Sequence, residues 1–213
     1  MEKHIWDGYA HWADVARSAD IPSLRDKITG LRGRWEPNYT PPDFTALLQT
    51  LVAAETDRCG QPQTAIDFGC GLGRNAPMLQ KFFPRVVGID LPPMVARLRQ
   101  DGTDFWPQHY AALYDDMSTL LVQEQPQFLY ESVVFQHLVD VDYATALARQ
   151  IHEAVSLTTL ICLENHYMDV LVLKWLREQG WQSIYCVNDP ESFLSYPHDL
   201  MILRRPSTGA AGA

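Results

Sequence analysis

The chain changes its pattern of apolar and polar residues near residue 63. Before that point apolar residues recur at the three- and four-residue spacing of amphipathic helices, which predicts a helical segment. After it, short apolar runs of strand length alternate with amphipathic stretches, which is typical of an α/β fold with a mostly parallel sheet and helices on both faces. The predicted strands cover residues 64–68, 85–90, 108–113, 127–132, 157–164, 181–187 and 199–204, and the predicted helices cover residues 75–83, 93–100, 143–155 and 168–179.

This pattern divides the chain into three predicted segments. Residues 1–60 form a helical N-terminal segment in which Asp43 is placed to cap a helix. Residues 61–205 form the α/β domain. Residues 206–213, which are mostly small residues and glycine, are expected to be a flexible tail.

Composition and charge narrow the classes of function. The 213 residues are 46% hydrophobic and carry a net charge of -9, which argues against binding to nucleic-acid phosphates. No apolar run approaches the ~18 residues of a membrane span, and the first residues lack the order of a signal peptide, so a cytoplasmic protein is expected. The four cysteines show no CxxC spacing, which predicts reduced thiols with no zinc site and no disulfide framework.

A glycine-rich loop carries the strongest chemical signal. The predicted strand 64–68 runs directly into Gly69, Gly71 and Gly73, and a predicted helix follows. Glycines allow positive φ angles and a close approach of the backbone to a ligand. The next predicted strand ends in Asp90, near the distance at which nucleotide-binding α/β units place an acid on ribose hydroxyls.

Two cofactors compete for this loop. Gly71, Gly73 and Ala76 satisfy GxGxxA, the fingerprint of dinucleotide binding, which would suit an NAD(P)-linked oxidoreductase or a dinucleotide-binding protein. The alternative DxGxGxG begins at Asp67. A carboxylate there is poorly suited to a pyrophosphate and well suited to an ammonium group.

The order of motifs from Asp67 to Leu138 resembles class I S-adenosylmethionine (SAM)-dependent methyltransferases, in the small-molecule branch. Further along the chain, Gly180-Trp181 and residues 199–203 are similar to the late strands of that family. Two departures are Gln127, where the family commonly has Asp, and residues 155–158, where it has a Pro-Gly-Gly turn. The segments that carry the resemblance are the DxGxGxG loop, residues 85–91 with Pro92-Pro93-Met94, Asp115-Asp116-Met117, and Phe135-Gln136-His137-Leu138.

The resemblance implies a Rossmann-like, seven-stranded, mostly parallel sheet whose last strand is antiparallel. It also implies SAM as cofactor and S-adenosylhomocysteine as product, with Asp67 serving the amino acid end of the cofactor and Asp116 its adenine amino group. The expected cofactor-binding residues are Asp67, Gly69, Cys70, Gly71, Gly73, Asn75, Asp90, Leu91, Asp116 and Met117.

The resemblance also suggests how the acceptor would be handled. His137, and next to it in preference His166, are the candidate general bases, while a divalent metal near Glu164 and Asn165 is the weaker alternative. The expected acceptor is an oxygen or nitrogen of a small-molecule metabolite or natural-product intermediate, bound by a monomer or homodimer. A SAM-binding protein without catalysis stays an alternative. The aromatic residues expected to form an N-terminal lid over cofactor and substrate are Trp6, Tyr9, Trp35 and Tyr39.

Overall fold

The computed structural model of the chain describes residues 8–18, 42–100, 110–132, 134–164, 171–189 and 198–205. These residues fall into two compact units, one within Ala10–Glu124 and the other mainly within Gln125–Ala213. The described helices are α1 (Gly8–Ser18), α2 (Pro42–Cys59), α3 (Ala76–Leu79), α4 (Pro92–Gln100), α5 (Met117–Glu124), α6 (Val141–Glu153) and α7 (Leu171–Glu178). The described strands are β1 (Thr64–Phe68), β2 (Arg85–Ile89), β3 (Ala112–Tyr114), β4 (Phe128–Ser132), β5 (Thr159–Glu164), β6 (Gln182–Asp189) and β7 (His198–Arg204).

The first unit is built on three parallel strands with β2 between β1 and β3. All five residues of β1 are buried, as expected for a strand of a parallel sheet that is covered on both faces. In the register of the strands, Asp67 of β1 lies beside Gly88 of β2, and Gly88 lies beside Leu113 of β3. The carboxyl ends of the three strands therefore lie at one edge, where the glycine loop begins.

The predicted helix 75–83 is wrong in length, since α3 contains four residues. Beyond α3 the backbone tightens into turns, with the N–H of Lys81 donating to Met78 O and that of Phe82 to Leu79 O. Pro84 disfavours helical geometry at Phe83, so the helix does not reach the predicted end at residue 83.

Three other elements differ from the prediction. β3 begins at Ala112, so Tyr110 lies ahead of the strand. Helix α5 was not predicted. Helix α2 begins at Pro42, a residue whose fixed φ suits the first helical position, so Asp43 lies inside the helix and not at the position that precedes it.

Among the four described strands of the second unit, β4, β5 and β6 run in one direction and β7 runs in the opposite direction. β4 pairs with β5 in parallel, and β7 pairs antiparallel with both β5 and β6, which confirms the antiparallel last strand.

The two departures from the family pattern, Gln127 and residues 155–158, are joined by backbone hydrogen bonds in this unit. The carbonyl oxygen of Gln127 accepts the backbone N–H of Thr158 at 3.0 Å and of Thr159 at 3.1 Å, and these bonds close the start of β4 on β5.

Two further findings concern membrane-spanning helices and the thiol of Cys70. Within the described ranges, no helix combines the length and apolar character needed to cross a bilayer. The thiol of Cys70 is buried and forms no disulfide.

Gly88 is the residue through which the three parallel strands pack most closely. An added Cβ would lie 2.9 Å from Leu113 Cδ2, 3.0 Å from Cys70 Sγ and 3.2 Å from Tyr110 Cδ2. These separations are shorter than ordinary carbon contacts, so the space over Gly88 is already filled by its neighbours.

We expect Gly88→Ala to lower the free energy of unfolding by about 2–3 kcal/mol, because overpacking a filled site forces its neighbours to shift. Gly60→Ala is the control, since Gly60 has φ +85° but nothing within 4 Å of its added Cβ, and it should cost about 1 kcal/mol. Urea unfolding of both variants measures the difference. An equal cost for the two would show that the neighbours of Gly88 move without strain.

Candidate functional site

The glycine loop is fastened to the end of β2. Gly69, Gly71 and Gly73 have φ values of 68°, 51° and 87°, a region that side chains other than glycine rarely adopt. The N–H groups of Gly69 and Cys70 both donate to Ile89 O, at 2.9 and 3.0 Å. The loop therefore turns back over the strand beside it, and each glycine stands where the turn needs a positive φ.

Asp90 closes the same loop from the other side. Its Oδ2 accepts the N–H of Gly71 at 2.6 Å, and its Oδ1 accepts the N–H of Leu91 at 2.7 Å. The N–H of Asp90 itself donates to Tyr114 O at 3.1 Å, which links it to the end of β3. Burial raises the pKa of Asp90 to about 6, and the two backbone hydrogen bonds act against this rise. Each oxygen of the ionised carboxylate keeps a lone pair for a further donor such as a hydroxyl.

Asp67 is fully buried below the loop. Its Oδ1 accepts a hydrogen bond from Asn75 Nδ2 at 3.2 Å, and its Oδ2 accepts one from the Tyr110 hydroxyl at 2.5 Å. Burial raises the pKa of Asp67 to about 6, although both hydrogen bonds lower it. The carboxylate thus holds two neighbouring side chains, and its predicted contact with an ammonium group stays a prediction.

The donors and acceptors around the loop fit one of the two candidate cofactors better. Asp67 and Asp90 place two carboxylates at the loop, and a pyrophosphate there would meet like charges. A ligand with hydroxyl donors and a positive charge would instead stabilise the ionised forms of both acids, which burial disfavours. The residues present therefore fit SAM, which carries a sulfonium, an ammonium group and ribose hydroxyls.

Asp116 lies at the end of β3 and caps helix α5. Its exposed side chain accepts hydrogen bonds at Oδ1 from Thr119 N at 2.7 Å and from Thr119 Oγ1 at 2.6 Å. These two bonds lower the pKa of Asp116. Met117, the next residue, is buried. The cap uses one carboxylate oxygen, so the predicted contact of Asp116 with an adenine amino group is compatible with it and stays a prediction.

His137 ends a 3₁₀ turn, Phe135–His137, just beyond β4. The residue is half-buried, and its backbone N–H donates to the backbone oxygen of Val134 at 2.9 Å. Glu131 lies beneath the turn and is fully buried, and its Oε2 accepts the N–H of Val134 at 2.8 Å and of Phe135 at 3.1 Å. The position of the His137 backbone therefore depends on a buried carboxylate.

The structure brings together only part of the predicted site. Asp67, Asn75, Asp90 and Leu91 meet around the loop glycines, while His137 belongs to the unit formed mainly by Gln125–Ala213. In the ranges that the structure covers, no three His, Cys, Asp or Glu side chains are grouped to hold a metal. Tyr9 lies in α1. The predicted residues that lie outside the described ones are His166, Trp6, Trp35 and Tyr39.

Sequence reasoning missed two residues that hold the site, Tyr110 and Glu131. Glu131 had a visible signal, because a carboxylate inside an apolar strand needs a buried partner. Tyr110 had none, because an aromatic residue near a strand is ordinary core and its partner on β1 is 43 residues away.

One protein family matches the sequence of the chain. A family model described as a methyltransferase domain matches residues 42–195, and so begins within the predicted N-terminal segment. No curated protein sequence matches the chain.

Solved structures resemble the chain over most of its length. Magnesium protoporphyrin IX methyltransferase (ChlM) from Synechocystis PCC 6803, with bound SAM, has a TM-score of 0.58 at 18% identity, covering 96% of this chain and all 100% of the other. N-methyltransferase NodS from Bradyrhizobium japonicum WM9, in complex with S-adenosyl-L-homocysteine, has a TM-score of 0.60 at 14% identity, covering 95% and 100%. The bifunctional kinase-methyltransferase WbdD has a TM-score of 0.50 at 15% identity, covering 78% of this chain and 40% of its own.

We expect Glu131→Ala to lower the free energy of unfolding by about 3 kcal/mol, because it leaves the N–H groups of Val134 and Phe135 without their acceptor. Glu131→Gln retains one carbonyl oxygen and should cost about 1 kcal/mol. Urea unfolding measures both, with Glu178→Ala, an exposed acid on α7, as the control. A cost for Glu131→Ala no larger than that of the control would contradict the anchoring role.

Proposed function

The chain belongs to the methyltransferase domain family and is a SAM-dependent methyltransferase, and from this premise we propose that it methylates an oxygen or nitrogen of a small-molecule metabolite or natural-product intermediate. The family match decides between the two cofactors that the glycine loop left open. The fold is the α/β, Rossmann-like fold of the solved methyltransferases. The finer architecture is part of the proposal: one seven-stranded sheet within residues 61–205, a helical lid segment in residues 1–60 and a flexible tail in residues 206–213.

The observation that carries the proposed cofactor site is the bond between the Gly71 N–H and Asp90 Oδ2. It holds the glycine loop and the acid after β2 together, so that a ribose could lie on the loop while its hydroxyls donate to Asp90. Leu91 lies next to that acid, and Asn75 follows the last loop glycine.

The rest of the cofactor is assigned by position. Asp67 lies below the loop on the side proposed for the amino acid end. Asp116 and Met117 follow β3, beyond Tyr114, whose carbonyl accepts the Asp90 N–H, and are proposed to face the adenine. The residues proposed to hold SAM are Asp67, Gly69, Cys70, Gly71, Gly73, Asn75, Asp90, Leu91, Asp116 and Met117.

The small-molecule acceptor is supported by charge and by two structural relatives. A net charge of -9 disfavours a polyanionic acceptor such as RNA or DNA. The matching structures include a methyltransferase named for magnesium protoporphyrin IX and one named as an N-methyltransferase.

SAM supplies an electrophilic methyl group that moves in line to a nucleophile while the sulfonium loses its charge. The protein must then hold the acceptor atom in line and remove its proton where it carries one. We assign the proton to His137, which the turn over Glu131 positions beyond β4. His166 is the second candidate. Trp6, Tyr9, Trp35 and Tyr39 are proposed to exclude water and contact the acceptor as parts of the lid.

Affinity for SAM should fall as the pH is lowered from about 8 to about 5, because Asp90 takes up a proton with a pKa of about 6 and its carboxylate then accepts less well. The sign follows from the cofactor's positive charge, which favours the ionised acid. Asp90→Asn should weaken SAM binding about tenfold at about pH 8, since a hydrogen bond to a charged group contributes about 1.5 kcal/mol.

Isothermal titration calorimetry with SAM measures both effects. Asp57→Asn, an exposed acid on α2, is the matched control and should bind as the wild type does. Unchanged affinity in Asp90→Asn would show that the ribose does not lie against β2.

Incubation with tritium-labelled SAM and separated fractions of a cell extract tests the class of acceptor. With tritium in the methyl group of SAM, label should appear in a low-molecular-mass compound that chromatography separates from SAM, and label in the RNA, DNA or protein fraction would contradict the proposal. With the labelled compound as substrate, His137→Ala should lower kcat by about 10²-fold or more and flatten the rise of the rate with pH, as expected for loss of a general base.

His152→Gln is the control for that measurement. His152 is a half-buried histidine of α6 that accepts a hydrogen bond from Trp181 Nε1 at 3.2 Å, and glutamine retains an acceptor there. Equal rate profiles for His137→Ala and the wild type would remove His137 from the proton transfer.

A further inference from the structure

A hydrogen bond from Tyr110 to Asp67 crosses the middle strand of the first unit. Asp67 belongs to β1 and Tyr110 lies just ahead of β3, while β2 pairs with both of these strands. The Tyr110 hydroxyl nevertheless reaches Asp67 Oδ2 at 2.5 Å, and both residues are buried. A side chain must therefore pass over β2 to make the bond.

Gly88 has no side chain and so leaves space for the Tyr110 ring to pass over β2. It lies beside Asp67 in the β1–β2 register and beside Leu113 in the β2–β3 register. A Cβ at Gly88 would lie 3.2 Å from Tyr110 Cδ2 and 3.0 Å from Cys70 Sγ, so the tyrosine ring occupies the volume that a side chain would need. The bond thus depends on the absence of a side chain at one position of β2.

A second hydrogen bond continues from Asp67 to the far end of the glycine loop. Asn75 Nδ2 donates to Asp67 Oδ1 at 3.2 Å. The carbonyl oxygen of Asn75 accepts the N–H groups of Met78 at 3.1 Å and of Leu79 at 3.0 Å, so Asn75 also begins the turns of α3. Tyr110 and Asn75 together hold Asp67, and Asp67 joins the strand before the loop to the residue after it.

We propose that Tyr110 is a positioning residue for SAM: through Asp67 and Asn75 it fixes the glycine loop in the shape that receives the cofactor. Tyr110 itself is buried behind Asp67 and acts through that acid. The inference rests on the SAM dependence of the chain and adds a residue that neither the glycine motif nor the acids after the strands contain.

The pKa of Asp67 is a quantity that the proposal predicts will change when Tyr110 is altered. Burial raises the pKa of Asp67 to about 6, and the Tyr110 hydrogen bond is the largest of the effects that oppose it, ahead of the Asn75 bond and the charge of Arg74, while the charge of Asp90 adds to the rise. Loss of the tyrosine hydroxyl should therefore raise the pKa of Asp67 further, towards neutral pH.

The other two titratable groups against Asp67 stay neutral over the same range. Burial raises the pKa of the Tyr110 hydroxyl and that of the Cys70 thiol well above their ordinary values. The hydroxyl therefore remains a donor throughout, and the pH dependence belongs to the carboxyl groups.

The test compares Tyr110→Phe with Tyr114→Phe. Tyr114, on β3, also donates its hydroxyl to a carboxylate, to Glu124 Oε1 at 2.5 Å, and Glu124 is paired with Arg85 at the start of β2, whereas the glycine loop is bonded to the end of that strand. The two variants thus remove the same group and the same kind of bond. Calorimetry with S-adenosylhomocysteine from about pH 5.5 to about pH 8.5 gives the dissociation constant, and hydrogen exchange of residues 69–79 in the free protein gives the order of the loop.

Tyr110→Phe should weaken binding about tenfold at about pH 7, shift the midpoint of the pH dependence upward by about one unit, and speed exchange in residues 69–79. Tyr114→Phe should leave all three as in the wild type. Asn75→Ala removes the hydrogen bond from Asn75 to Asp67 and should also speed the exchange in residues 69–79. This variant replaces Tyr110→Phe as the test if Tyr110→Phe fails to fold.

Three results would overturn the proposal. The first is wild-type binding and exchange in Tyr110→Phe, and the second is an equal loss in both tyrosine variants, which would indicate a general effect on β3. The third is weakened binding in Tyr110→Phe with neither an upward shift of the pH midpoint nor faster exchange in residues 69–79. If the wild type itself bound no SAM or S-adenosylhomocysteine, the proposed function would fail, whereas the exchange comparison would still decide whether Tyr110 fixes the loop.

Discussion

The candidate site depends on carboxylates that the fold removes from water at the ends of parallel strands. A buried carboxylate is costly unless hydrogen bonds replace its hydration. The fully buried Asp67 and the half-buried Asp90 meet this requirement with backbone N–H groups at the loop, the amide of Asn75 and the hydroxyl of Tyr110. The groups that donate hydrogen bonds to these two acids belong to the glycine loop or to the residues that hold it. The same hydrogen bonds therefore stabilise the acids and fix the shape of the loop.

The same constraint recurs in the second unit. Glu131 is fully buried on β4, and it accepts the N–H groups of the turn that carries His137. In both units an acid at or near the end of a strand fixes the backbone that follows. A rigid strand and a charged acceptor together hold a loop more firmly than either would alone. Ordered backbone therefore follows β1, β2 and β4 of this chain at their carboxyl ends, the end at which open α/β sheets bind ligands.

The sequence predicted the strands better than the side-chain contacts. The bounds of β1 were predicted to the residue, and those of β2 and β4 to within one residue, since buried strands leave clear apolar runs. The length of α3 was wrong because the apolar pattern continues to Phe83, whereas the helix ends at Leu79 and the backbone goes on in turns. Asp116 was predicted as a ligand contact, and its bonds to Thr119 show in addition that it caps α5, a helix that was not predicted.

By itself the sequence determined the order of the strands, the glycine loop and the identity of the acids at or near the strand ends, because these are local patterns along the chain. Only the tertiary structure decided what each acid contacts. Asp67 and Tyr110 are 43 positions apart, and Gly71 and Asp90 are 19 apart. Such pairs form because parallel strands bring distant residues into register, and because Gly88 leaves room for a ring to cross between them. Neither condition leaves a periodic signal in the sequence.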